Sequence, residues 1–298
     1  MPLTLPHQDR EKQSAALSSL LAAVVLTAFK AVVGALTGSL GILAEAAHSG
    51  LDLVAALMTF LAVRISGRPP DTTHPYGHGK VENLSALFET LLLLATCVWV
   101  ALEAIHRLRF HLGQVEVNAW SFAVMAVSIA IDASRSRMLY RVAKKFNSQA
   151  LEADALHFQT DIWSSSVVIV GLAAVKIAQW LPGFRWLHAG DAVAALGVSA
   201  IVVWVSVQLG RRTLEALLDT APPGLERRIA ETVEAIPGVR GCHNIRIRPS
   251  GPTLFVDLHV LADGALPLAQ AHELTEAIEA AIRGVAPGAD VTVHAEPI

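Results

Sequence analysis

The sequence predicts a membrane bundle of six helices followed by a small α+β domain at the C-terminal end. Hydrophobic residues make up 53% of the 298 residues and charged residues only 16%, whereas a soluble domain carries about 25% charged residues. Six windows are apolar over about the 20 residues that a membrane crossing needs. After Asp219 the long apolar runs end and short amphipathic segments replace them.

The six apolar windows are separated by polar segments that indicate their orientation. They are Leu17–Leu36, Leu40–Val63, Leu84–Ile105, Ala119–Met138, Leu156–Leu181 and Val193–Leu209. Only Thr37, Gly38 and Ser39 separate the first two windows, which should therefore form a helical hairpin. Basic residues are concentrated before the first window and after the second, fourth and sixth. Because basic residues favour the cytoplasmic side of a membrane, both termini are predicted to be cytoplasmic.

The segment after Asp219 has the pattern of a small two-layer domain. We predict a helix to about Ile236, strands near His243–Arg248 and Thr253–Ala262, a helix near Leu268–Arg283 and a strand at Asp290–His294. The order αββαβ in so short a segment indicates an α+β domain. We place the membrane domain at residues 1–215 and the cytoplasmic domain at residues 216–298.

Two histidine–aspartate pairs lie inside apolar windows. His48 and Asp52 occur in the second window and His157 and Asp161 in the fifth, each pair four residues apart and so on one helix face. Ionisable groups are costly in hydrocarbon and mark function there. Two imidazoles and two carboxylates would form a four-coordinate site suited to Zn²⁺. Two equal spacings disfavour the alternative, in which each pair is a buried hydrogen-bonded couple. Glu45 is left open as a ligand or an entrance charge.

The sequence does not indicate an enzyme or a nucleic-acid-binding protein. An intramembrane metalloprotease would carry His-Glu-x-x-His on one helix, and the sequence has no such motif. We therefore predict that the protein is not an enzyme. The net charge of −3 does not indicate a nucleic-acid partner.

Two further groups of metal-ligating residues lie outside the windows. Asp71, His74 and His78 supply three ligands within eight residues, a number that leaves a position open for exchange; a polar loop with chance histidines is the alternative. The C-terminal domain supplies five candidates from different elements, each of which alone is more typical of a surface residue. They are His243, His259, His272, His294 and Glu296.

These residues carry a resemblance to the cation diffusion facilitator family over nearly the whole chain. The matching stretches are Gly41–Asp52, Asp71–Glu82, Ala155–Ser164, Gly251–His259 and Gln270–His272. The resemblance implies a homodimer of six-helix protomers with ferredoxin-like cytoplasmic domains, which exchanges cytoplasmic metal for external protons by alternating access.

The resemblance also implies roles for residues. It implies a transport site of His48, Asp52, His157 and Asp161, a loop site of Asp71, His74 and His78, a binuclear domain site of His243, His259, His272, His294 and Glu296, and a salt bridge of Lys80 with Asp219. His48 is similar to zinc-preferring members, since others have aspartate there. Glu296 departs from the more common aspartate, which puts its distance to a metal in question. Many eukaryotic zinc members of the family carry a histidine-rich segment between the fourth and fifth helices. This sequence lacks such a segment at residues 147–149, which favours a prokaryotic cell membrane.

The sequence therefore predicts a proton-coupled Zn²⁺ exporter without a cofactor, with Zn²⁺ as substrate and as a structural or regulatory ion in the cytoplasmic domain. An iron(II) exporter, or a broad-range exporter of Cd²⁺, Co²⁺ or Mn²⁺, is the first alternative. A membrane metal sensor is the second, but paired intramembrane ligands disfavour it, since a relay needs no buried metal site.

Overall fold

The computed structural model describes residues 6–38, 40–110, 119–180 and 187–298. Long helices occupy the first two thirds of the chain. They are α1 (Pro6–Thr37), α2 (Leu40–Ser66), α3 (Lys80–Phe110), α4 (Ala119–Phe146), α5 (Gln149–Trp180) and α6 (Leu187–Leu217). Each predicted apolar window falls within one of these helices, except that Leu181 lies outside the described residues, as does Ser39 of the predicted hairpin turn.

The surface of the helical region is apolar. Within the described residues, three helical segments have the length and hydropathy of a membrane crossing: Gln8–Thr37, Glu45–Ser66 and Lys80–Trp99. Large apolar side chains on them point outward, and Leu21, Val25 and Trp99 are more than half exposed. Such a surface is typical of helices that contact lipid.

The helices pack mainly in pairs, α1 with α2, α3 with α6 and α4 with α5, while α5 also contacts α2, α3 and α6. Gly38 adopts a left-handed conformation (φ 64°) at the end of α1, which glycine tolerates at no steric cost. The α1–α2 hairpin predicted from the sequence is thus formed. The central position of α5 brings its polar face against α2 and α3.

The C-terminal domain has the predicted αββαβ order. It consists of α7 (Leu225–Glu234), β1 (Gly241–Ser250), β2 (Thr253–Ala262), α8 (Leu268–Val285) and β3 (Asp290–Pro297). The sheet order is β1-β2-β3, with β1 antiparallel and β3 parallel to β2. Both helices pack on the sheet and on each other, around a core that includes Ile229, Val256 and Ile278. The ferredoxin-like prediction is confirmed, and the first and last strands extend beyond their predicted ends.

The β1–β2 turn docks on the start of α3. The backbone N–H of Gly251 donates to Asn83 Oδ1 at 3.0 Å in a buried position. A Cβ atom added at Gly79 would lie 2.2 Å from the carbonyl oxygen of Ser250. The approach is therefore possible only because residue 79 has no side chain. This contact defines the end of the bundle next to the C-terminal domain, and we call the other end the distal end.

Two further contacts join the C-terminal domain and the helical region. Lys80 Nζ lies 2.8 Å from Asp219 Oδ1, and this ion pair is the one that the family resemblance implied. Arg248 of β1 stacks on the ring of Tyr76, 3.7 Å from its centroid, a geometry that gives a favourable cation–π interaction. The loop before α3 is therefore held against the sheet.

Candidate metal centres

Helices α2 and α5 bring four metal-ligating side chains together inside the bundle. His157 Nε2 lies 3.1 Å from Asp52 Oδ1 and 3.7 Å from Asp161 Oδ2. His48 Nε2 lies 3.9 Å from Asp161 Oδ1 and 4.0 Å from Asp52 Oδ1. Each imidazole thus faces one carboxylate of its own helix and one of the other helix.

Three of these residues, His48, Asp52 and Asp161, offer ligand atoms that all lie within 4.8 Å of one another, and His157 lies beside both carboxylates. Four donors at about 2.0–2.1 Å from a tetrahedral Zn²⁺ lie about 3.3–3.4 Å from one another. The four measured separations, from 3.1 to 4.0 Å, bracket that value. Two ionised carboxylates would balance the charge of a divalent ion, which a low-dielectric site requires. The arrangement can therefore bind a divalent metal after small side-chain shifts.

The four-residue cluster is sealed on one side and open on the other. His157 is 2% exposed, and its Nδ1 atom has no hydrogen-bond partner in the described part of the chain. The side chain of His48 is 29% exposed and lines a cavity of about 400 Å³. The cavity extends toward the distal end of the bundle, where Lys30 and Trp99 line it. Metal can therefore reach these ligands from the distal side.

Glu45 lies in the same cavity but has a partner of its own. Its carboxylate lies 3.2 Å from Lys30 Nζ, and Lys30 also donates to Ser49 Oγ at 2.8 Å. Lys30 is 4% exposed, so Glu45 compensates the charge of a buried cation. Glu45 therefore belongs to an ion pair rather than to the four-residue cluster.

Two buried carboxylates lie between the cluster and the C-terminal domain, and the sequence reasoning missed both. Glu89 of α3 and Asp154 of α5 are fully buried. Glu89 accepts a hydrogen bond from the hydroxyl of Thr59, and Asp154 accepts one from Ser19 at 3.2 Å. Acidic residues inside the runs Leu87–Leu94 and Ala150–Ala155 were the signal that could have identified them.

The loop between α2 and α3 brings Asp71, His74 and His78 together as predicted. Asp71 Oδ1 lies 3.2 Å from His74 Nδ1, and Asp71 Oδ2 lies 3.3 Å from His78 Nε2. The hydroxyl of Thr73 and backbone N–H groups donate to Asp71 Oδ1. These hydrogen bonds hold the pKa of Asp71 well below its usual range. The loop thus presents an ionised carboxylate and the imidazole of His74 at the surface, while the His78 side chain is only 11% exposed.

The sheet of the C-terminal domain brings four of its five candidate residues together. His259 of β2 is the register partner of His243 on β1 and of His294 on β3. Glu296 lies 2.8 Å from His259 Nδ1, 3.3 Å from His243 Nε2 and 3.8 Å from His294 Nε2. The hydrogen bond from His259, the largest influence, lowers the pKa of Glu296. The longer glutamate side chain therefore reaches all three imidazoles.

His272 is not part of this group within one chain. It lies on α8, is about 71% exposed at its side chain and is 3.6 Å from Glu276 of the same helix. Cys242, next to His243 on β1, packs beside the domain core. Burial raises the pKa of the Cys242 thiol, which disfavours the thiolate form that binds metals.

Comparison with known proteins gives matches over almost the whole chain. The family model "Cation efflux transmembrane domain" matches residues 16–218, and "Cation efflux protein, cytoplasmic domain" matches residues 221–298. The chain is 36% identical over 296 residues to "Cation-efflux pump FieF" of Pectobacterium atrosepticum, covering 98% of this chain and 95% of that protein. It is 35% identical to the protein of the same name from Cronobacter sakazakii, covering 95% and 92%.

The C-terminal segment is similar to a solved structure named as a MamM C-terminal domain. The identity is 34%, the TM-score is 0.24, and the match covers 25% of this chain and 96% of the other.

Proposed function

The chain belongs to the cation efflux family, the cation diffusion facilitators, and from this premise we propose that it is a Zn²⁺/H⁺ antiporter of the cell membrane. Cation efflux by a membrane protein follows from the family itself. The choice of Zn²⁺, the coupling to protons and the cytoplasmic position of both termini are our proposals.

The observation that carries the proposal is the four-residue cluster of His48, Asp52, His157 and Asp161. Ligand atoms of His48, Asp52 and Asp161 lie within 4.8 Å of one another, His157 faces both carboxylates, and Zn²⁺ prefers a four-coordinate set of this kind. Harder cations that require six or more oxygen ligands fit such a set less well. The cluster also lies at the end of a cavity, as a transport site must.

Proton coupling follows from the chemistry of these ligands. An imidazole binds metal only in its neutral form, so metal and proton compete for one nitrogen. In the proposed cycle the cluster loads metal from the cytoplasm, opens toward the distal side, releases the metal and takes up protons. The protons leave when the cluster faces the cytoplasm again. The distal cavity corresponds to the outward-open half of this cycle.

The two other groups of ligands lie on the cytoplasmic side in this proposal. In the loop group of Asp71, His74 and His78, the first two side chains are about half exposed, so a metal held there would exchange with solvent. The sheet residues His243, His259, His294 and Glu296 would hold a structural or regulatory Zn²⁺. We propose that the protein acts as a homodimer, in which His272 remains a candidate ligand of the same domain site.

The decisive experiment is flux in proteoliposomes that contain the purified full chain. A Zn²⁺ dye and a pH dye are followed together, with and without a proton gradient. We expect Zn²⁺ to move against an opposing proton flow and to accelerate when the gradient is imposed. Faster transport of Fe²⁺, Cd²⁺, Co²⁺ or Mn²⁺ than of Zn²⁺ would favour the broad-range alternative, and binding without flux would indicate a metal sensor.

A further inference from the structure

The carboxyl group of Glu89 is buried in the bundle without a cationic partner among the described residues. Its side chain is 0% exposed, and it lies within the membrane-spanning segment Lys80–Trp99. One carboxyl oxygen accepts the hydroxyl of Thr59, while the other has no hydrogen-bond partner in the part of the chain that the structure describes. Within hydrogen-bond distance, the described residues therefore offer the Glu89 carboxyl group one polar partner, the neutral hydroxyl of Thr59.

Three other acidic side chains within the bundle are compensated by a cation. The pairs are Glu82 with Lys12 at 2.8 Å, Asp132 with Arg135 at 3.3 Å, and Glu45 with Lys30 at 3.2 Å. Asp154, like Glu89, has one hydroxyl donor and one oxygen without a hydrogen-bond partner among the described residues, but its Ser19 hydroxyl also accepts from Arg135. Glu89 thus differs from these four acidic residues in having neither a cation nor a hydroxyl shared with a cation within the described residues. An ionised carboxylate without a partner in such surroundings is so costly that the group is neutralised instead.

Glu89 is placed to respond to the charge at the proposed transport site. It lies within electrostatic range of His157 and Asp154 on α5. His157 in turn is 3.1 Å from Asp52, and Thr59, which donates to Glu89, lies on the same helix as Asp52 and seven residues after it. From α2, Thr59 contributes a hydroxyl, and α6 carries no charged residue between residues 192 and 210. The titratable groups around Glu89 among the described residues are therefore Asp154 and His157.

We propose that Glu89 is a proton-carrying site of the antiporter, separate from the metal ligands. With the metal site empty, Glu89 holds a proton. When a divalent ion binds, its positive charge compensates the carboxylate, and one proton leaves Glu89 toward the cytoplasm. When the metal leaves on the distal side, one proton returns to Glu89. The inference rests on the proposed function, because it adds one proton to each cycle of metal export.

The position of Glu89 along α3 supports this role. It lies between Glu82, at the end next to the C-terminal domain, and Thr96 and Cys97, which line the distal cavity. Glu89 is therefore on the side of the transport ligands that is closed here. That side must open for the proposed loading from the cytoplasm, and a proton released from Glu89 would then have an exit.

The test is the number of protons exchanged per Zn²⁺ in proteoliposomes, for wild type, Glu89→Gln and Glu89→Asp. Glutamine has the same size and still accepts the hydroxyl of Thr59. We expect Glu89→Gln to transport Zn²⁺ with a ratio lower by about one proton, since a carboxyl group binds a single proton. Glu89→Asp should restore the wild-type ratio. Thr59→Ser, which keeps the hydroxyl donor, is the matched control and should leave the ratio unchanged.

A second measurement does not depend on transport by the variant. Infrared difference spectra of the wild type, recorded on addition of Zn²⁺, should lose the carbonyl band of a protonated carboxylic acid, and Glu89→Gln should lack that change. No such band in the wild type, or an equal band in the variant, would overturn the assignment. Proton counterflow that is equal in wild type and Glu89→Gln would also overturn it while leaving antiport intact. A wild type without proton counterflow would overturn the antiport proposal itself.

Discussion

Replacing Asp52 by asparagine should nearly abolish Zn²⁺ transport while leaving the fold intact. The carboxylate of Asp52 faces both imidazoles, at 3.1 Å from His157 and 4.0 Å from His48, and it is 8% exposed. It supplies half of the negative charge in the four-residue cluster. An amide fills the same volume and still accepts a hydrogen bond, so the metal-free bundle should be little affected.

The expected loss follows from the burial of the site. Removing one partner of a buried charge cluster leaves the other charge uncompensated, at a cost of about 3–5 kcal/mol. At 1.4 kcal/mol for each tenfold change in an equilibrium constant, the affinity of the transport site for Zn²⁺ should fall by about two to three and a half orders of magnitude. At limiting Zn²⁺, flux should fall by a similar factor.

The assay is initial-rate Zn²⁺ uptake by proteoliposomes across a range of concentrations. Ser128→Ala is the matched control, because Ser128 lines the same cavity but bonds the carbonyl oxygen of Val124 on its own helix. Equal thermal unfolding of both variants and the wild type excludes a general loss of structure. Flux of Asp52→Asn within a few-fold of the wild type at limiting Zn²⁺ would refute the assignment of the transport site.

Three further predictions concern other parts of the chain. Gly79→Ala should detach the β1–β2 turn, because its Cβ would meet the carbonyl oxygen of Ser250; we expect a loss of about 1–3 kcal/mol of stability and faster hydrogen exchange in the turn, whereas Gly284→Ala, which has open space, should cause neither. Because hydrogen bonds lower the pKa of Asp71, this carboxylate stays ionised at physiological pH, and acid should weaken Zn²⁺ binding to the loop because protons compete with the metal for imidazole nitrogen. Asp71→Asn removes the one carboxylate of this group and should lower its affinity at neutral pH; unchanged affinity in Zn²⁺ titrations would contradict this. His48→Asp makes the transport ligands harder and should raise Mn²⁺ flux relative to Zn²⁺; an unchanged metal ranking would place selectivity elsewhere.

The order of helices and strands could be predicted because local patterns determine it. Long apolar runs indicate membrane helices by length alone, and the alternation in Thr253–Ala262 indicates a strand with one buried face. The ends of β1 were not predictable in this way. Backbone pairing with β2 extends β1 to Gly241 and Ser250, and pairing depends on a partner strand rather than on the residues of β1 themselves.

The candidate sites were predictable to the extent that their residues share one element. A four-residue spacing places His48 beside Asp52 whatever the rest of the fold does. Whether α2 meets α5 at that height depends on tertiary packing, which spacing cannot give. His272 shows more clearly what residue spacing cannot predict. Its helix packs on the sheet with its apolar stripe inward, and the histidine remains exposed beside Glu276.

An ionisable residue in a membrane helix can be one partner of a structural ion pair or a group that exchanges protons, and only its tertiary contacts distinguish the two. Glu82 and Glu89 are both glutamates of α3, seven residues apart and so nearly on one face of that helix. Glu82 meets Lys12, which is 70 residues away along the chain, and forms a buried ion pair. Glu89 meets a hydroxyl and no cation within the described residues. The first arrangement stabilises the closed end of the bundle. The second leaves the Glu89 carboxyl group, which in the proposed cycle is charged only after it has released its proton.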